Sequence, residues 1–158
     1  MSASLRAAAF SLMLLCLPLA AHAQVVLYGA PINLETAKKI AASAAAEAKK
    51  NNFTMVIVVV DSAGLLTYLE RIDGTQIASI DAAIGKARSA NNFKRPTKAF
   101  EDAVAGGRNA VLGLPGALPI EGGIPLLVDG KIIGAIGVSG GSAAQDGQIA
   151  AAGVAALK

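Results

Sequence analysis

Serine, glycine and two basic residues hold the chemical possibilities of this chain. Gly137-Val138-Ser139-Gly140-Gly141 matches Gly-x-Ser-x-Gly, the strand-to-helix turn that presents a nucleophilic serine in many hydrolases. Such a serine needs a base to take its proton, usually an imidazole. The chain has one His, His22, and one Cys, Cys16, both close to the N-terminus. Lys86 remains for a Ser–Lys pair, and nothing near it in sequence supports that role. The same glycines suit another chemistry better. They lead an apolar strand toward a helix N-terminus near Gly140, Gly141 and Ser142, where unpaired backbone N–H groups favour an anion. Arg71, at the end of an apolar strand beside Asp73-Gly74, offers a bidentate clamp for a carboxylate. Lys86, within the apolar stripe of a middle helix, adds a second positive charge. The alternative is that Arg71 and Lys86 pair with Asp61, Asp73 or Asp146 as structural ions, and spacing does not choose between the two. Gly122-Gly123, ahead of Ile124-Pro125, is either a tight turn or a place where a flat ligand or another subunit approaches the backbone.

The first 23 residues exclude several other chemistries. Arg6 supplies a positive start, Ala7–Leu19 an apolar core, and Ala21-His22-Ala23 a small-residue cleavage site before Gln24. This reads as a secretory signal peptide, too short in its apolar run for a transmembrane anchor. The expected location is periplasmic or secreted, with no membrane attachment after cleavage. Cys16 and His22 leave with the leader. Disulfides, Cys/His zinc sites and Cys–His or Ser–His–Asp catalysis are then out of reach for the mature domain, 24–158.

Charge narrows the partners further. There are 14 Lys and Arg against 11 Asp and Glu, and aromatic residues make up 4%. A nucleic-acid binder would show a basic stripe interleaved with aromatics, so nucleic acid is not an expected partner. Lys38-Lys39 and Lys49-Lys50 read as the wet face of a helix. With 54% apolar residues and 16% charged, a domain this small is expected to hide surface in a homo-oligomer.

The elements that must position these groups follow from periodicity. Asn33 caps a helix through Lys50, with Leu34, Ala37, Ile40, Ala41, Ala44 and Ala48 at helical spacing. Thr54–Val60 is a continuous β-branched run, read as a strand covered on both faces, and Leu65–Arg71 returns as its antiparallel partner across an Asp61–Gly64 turn. A helix is predicted from about Gln76 to Asn91, and a shorter one over Lys98–Val104 after Thr97. Gly106–Pro119 reads as a long, Gly- and Pro-bearing functional loop. Phe93 and Phe100 are core residues or, with that loop, walls of an apolar pocket. Asp129-Gly130 joins Ile124–Val128 to Ile132–Val138 as a type I′ hairpin. Gln148–Leu157 forms the last helix. This order suits an antiparallel sheet with helices packed on it.

The stretch Glu121–Gly141, with Val59–Leu65, Arg71–Gly74 and Lys86–Ala90, resembles the GlcG/HbpS family of haem-binding and haem-degrading-type domains. The resemblance runs from about Leu34 to the C-terminus. It implies a single α/β (α+β) domain with a profilin-like antiparallel sheet flanked by helices, homo-oligomeric assembly, and haem or a related tetrapyrrole as cofactor. The partner would be a small molecule carrying carboxylates, met by Arg71, Lys86, Gly122, Gly123, Gly140, Gly141 and Ser142. Without histidine, the iron ligands available to the mature chain are Tyr28, Tyr68 and Met55. Tyr28, in the N-terminal linker, is the least constrained and the first choice. The function expected is that of an exported haem- or tetrapyrrole-binding protein that buffers or carries its ligand, a binding protein rather than an enzyme. The alternatives are an enzyme or accessory factor acting on a small organic acid, with Asp61 or Asp73 as base, and an oligomeric structural adaptor without a small ligand.

Overall fold

The structure, a computed structural model, describes residues 25–157; the expected signal peptide, with Cys16 and His22, lies outside the described residues. In chain order the elements are β1 (Leu27–Tyr28), α1 (Leu34–Lys50), β2 (Val56–Asp61), β3 (Leu66–Arg71), α2 (Ser79–Phe93) and α3 (Lys98–Ala105). A 3₁₀ turn (Asn109–Gly113), β4 (Gly123–Val128), β5 (Lys131–Ser139) and α4 (Ala143–Ala155) complete the domain.

The β-branched run of β2 is buried on both faces because helices cover the sheet on both sides. Val56, Val58 and Val60 meet Ala83, Ala87 and Ala90 of α2. Ile57 and Val59 join Ile136, Val138, Ile40, Ala44 and Ile149, beneath α1 and α4. Alternation along one strand thus feeds two apolar layers, one on each side of the sheet. Alanine dominates the helical side of both layers, which lets α1, α2 and α4 lie close to the strands.

β5 is the spine. β4 pairs with it antiparallel along one edge, closing the hairpin at Asp129-Gly130, whose φ angles of 49° and 72° fit the predicted turn. On the other edge β2 pairs antiparallel with Gly134–Ser139, and β1 pairs parallel with Lys131 and Ile132. β3 pairs antiparallel with β2. The sheet is therefore mixed, its parallel part confined to a two-residue strand inside what the sequence presents as a linker.

Two helix starts differ from the sequence reading. α4 begins at Ala143, well before Gln148, because Ser142 and Gln145 form a reciprocal capping box that overrides the helix-weakening Gly147. α2 begins at Ser79 rather than Gln76. Thr75 is drawn into a turn, its hydroxyl lying 2.6 Å from the Ile72 carbonyl oxygen and 3.1 Å from that of Met55. The expected α1 is present, with Asn33 accepting from the Thr36 amide at 2.8 Å. No helix among the described residues is long and apolar enough to cross a membrane.

Candidate functional site

The basic and glycine residues singled out above fall into three separate places. In the first, α2 carries Lys86 across the sheet to the start of α4. Its ammonium is 2.6 Å from Asp146 Oδ2 and donates to the Val138 carbonyl at 3.1 Å. Both side chains are almost wholly buried, at 2% and 3% exposure. The other Asp146 oxygen accepts the Gly141 amide at 3.0 Å. Burial pushes the Asp146 carboxyl above its ordinary range, against the opposing pull of Lys86 and the backbone amides of Gly141 and Gly140. The Ser142 amide donates to Gln145 Oε1 at 2.9 Å, and Ser142 Oγ accepts from the Gln145 amide. The amides of Gly141 and Ser142, expected to meet a ligand, are thus taken by carboxylate and amide oxygens of the helix they open.

Gly122 and Gly123 seal this cluster. Gly122 has φ +126°, and a Cβ there would sit 2.6 Å from the Val138 carbonyl oxygen and 3.0 Å from Lys86 Nζ. A Cβ on Gly123 would strike the Lys86 backbone carbonyl and come within 2.7 Å of Thr97 Cγ2. Gly122 lies against the Val138 carbonyl, Asp146 and Lys86, and Gly123 against the α2 backbone at Lys86, so the side on which each glycine lacks a Cβ is already filled by the protein. Ser139, opposite Val56 at the end of β5, is 7% exposed and so is not displayed on an open turn.

The second place is Tyr28. Its hydroxyl donates to the Asn91 carbonyl at 2.9 Å, and Lys94 Nζ stands 4.5 Å from the ring centroid. Lys94 also donates to the Val26 carbonyl at 2.7 Å, so the N-terminal segment is clasped to the end of α2. Tyr28, expected to be the least constrained tyrosine, is engaged on both its ring and its hydroxyl.

The third place is a groove of about 710 Å³ between the last turns of α1 and the end of β3. Ala45, Ala46, Phe53 and Ile72 give it apolar surface, and Lys49, Arg71, Glu70 and Asp73 bring charge. Arg71 borders it, with Nε and Nη2 donating to the Thr75 carbonyl at 3.2 and 2.9 Å. Lys49 has no ion-pair partner among the described residues. Of the residues expected to bind or act on a ligand, Arg71 lines this groove, and so does Asp73, named above as a candidate base.

Register shows how far apart the three places are. Arg71, Val56 and Ser139 share one row across β3, β2 and β5, which sets Arg71 about 10 Å from Ser139 at ordinary strand spacing. Tyr28 pairs with Ile132, seven positions along β5 from Ser139, or about 23 Å at a strand's rise. One porphyrin anchored at Arg71 does not reach Tyr28 of the same chain. Lys49, Phe53 and Ile72 escaped the sequence reading because the groove exists only once α1 crosses the end of β3.

Fold and site together define a small three-layer domain with an open amphipathic groove and a sealed internal ion pair. Residues 32–155 match the family described as haem degrading protein HbpS-like, and the chain belongs to that family. It is 41% identical to protein GlcG of Escherichia coli strain K12 over 108 residues, covering 68% of this chain and 81% of that one. The crystal structure of a Streptomyces reticuli HbpS double mutant superposes with a TM-score of 0.75 at 29% identity, covering 99% of both chains. The PduOC:Heme complex superposes with a TM-score of 0.72 at 28% identity, covering 80% of this chain and 94% of that one.

Proposed function

We propose that this protein binds haem or a related tetrapyrrole in the groove between α1 and β3, and that it buffers or carries that ligand after export to the periplasm or beyond. The observation that carries the reading is the groove itself. Its volume of about 710 Å³ lies in the range of small-molecule sites, and its lining combines apolar surface from Ala45, Ala46, Phe53 and Ile72 with the polar and charged side chains of Lys49, Asn52, Thr54, Glu70, Arg71 and Asp73. Phe53, Ile72 and the two alanines suit a flat apolar macrocycle, and Lys49 and Arg71 suit its carboxylates. Membership of a family described by haem chemistry supports the choice of ligand, as does a structural neighbour seen with haem. Assembly into a homo-oligomer is part of the same proposal.

A hemin titration followed at the Soret band tests it. Saturable binding is expected, and Lys49→Glu should weaken it about twofold to tenfold, the scale of an exposed ion pair made repulsive. Unchanged affinity in a folded Lys49→Glu protein would move the site away from this groove.

A further inference from the structure

The groove fits the body of a tetrapyrrole but not a coordinated iron, and we infer that it recognises the macrocycle and its carboxylates independently of the metal. This rests on the reading of the groove given above. Soft or imidazole ligands are missing from its lining: among the described residues it presents no His, Cys, Met or Tyr. Met55, one position beyond Thr54 in the groove wall, is fully buried, its sulfur packed where Gly140 and Gly141 approach.

The two tyrosines are committed elsewhere. Tyr28 lies at the far end of β5 with its hydroxyl on the Asn91 carbonyl. Tyr68 is nearer, on β3, and its hydroxyl donates to Glu70 Oε2 at 3.2 Å. Burial and the Glu70 carboxylate beside it push the Tyr68 phenol up, away from the phenolate that would ligate iron. What remains in the groove is apolar surface for the porphyrin face and, beside the carboxylates of Glu70 and Asp73, the cations of Lys49 and Arg71 for its edge. Neither depends on whether a metal fills the ring.

The test compares hemin with metal-free protoporphyrin IX on the full chain, by absorbance and by porphyrin fluorescence. Tyr28→Phe, His22→Ala and Lys49→Ala variants are run in parallel. The expected result is equal affinity for the two ligands, within about threefold. Lys49→Ala should weaken both by the same factor, about twofold to fivefold, while Tyr28→Phe and His22→Ala change neither. Hemin binding more than about tenfold tighter than the metal-free ring would overturn the inference and leave the haem-binding reading standing. Selective loss of hemin binding in Tyr28→Phe or His22→Ala would do the same and name the ligand. Binding of neither molecule would overturn both.

Discussion

Lys86 of α2 and Asp146 of α4 meet at 2.6 Å inside the protein, and the carboxylate that receives the lysine also takes the amide of Gly141 at the mouth of its own helix. One ion pair therefore ties α2, β5 and α4 together. Its charges come from elements sixty positions apart in sequence.

Removing the cation should be costly. Lys86→Met leaves a buried carboxylate without its partner, and such losses run to about 3–5 kcal/mol. Chemical denaturation at pH 7 measures it. The pH dependence has a definite sign. Burial already raises the Asp146 carboxyl, and without Lys86 it rises further. The fold then favours the protonated acid, so the stability lost at neutral pH returns as pH falls through that raised value. A deficit in Lys86→Met that does not shrink as pH falls from neutral toward the ordinary carboxylate range would contradict this account.

Gly122→Ala should destabilise the protein without touching the groove. A side chain at φ +126° is strained, and this one would press on the Val138 carbonyl, Asp146 and Lys86. The expected loss is about 2 kcal/mol or more. A thermal melt matching the parent would show that the junction yields more easily than its close contacts imply.

Ser142→Ala separates a capping role from a ligand-binding one. It removes the acceptor for the Gln145 amide, worth about 0.5–2 kcal/mol at an N-cap. Hemin affinity should stay as it was, because Ser142 does not line the groove. Weakened binding with unchanged stability would restore the helix mouth as a ligand site.

Tyr28→Phe should loosen the N-terminal clasp. The lost hydrogen bond to the Asn91 carbonyl is worth about 1 kcal/mol. Faster amide exchange at Gly29, which donates to the Ile132 carbonyl beside β1, reports it directly. Exchange indistinguishable from the parent would mean that Lys94 alone secures the segment.

Much of the fold was legible in the sequence because its signals are local. The unbroken apolar run of Val56–Val60 announces a strand covered on both sides, Asn33 announces a helix start, and Asp129-Gly130 announces a hairpin. The site was less legible because its determinants are tertiary. Lys86 lies on an apolar stripe whether it serves a ligand or Asp146, and only the crossing of α2 over β5 selects the second. Lys49 looks like any wet-face lysine until α1 is seen to end beside Phe53 and Ile72. The early start of α4 had a local signal in Ser142 and Gln145, overshadowed by the glycines around it.

Because Asp146 and Gln145 occupy the amides at the positive end of α4, ions from the buffer have little purchase there. Added salt should therefore leave the α2–α4 junction almost untouched. The Lys49 ammonium stands in open solvent, where a Debye length of about 8 Å at physiological ionic strength screens it. Ionic strength thus distinguishes the two sets of charges: raising it weakens capture of an anionic ligand at the groove well before it disturbs the fold.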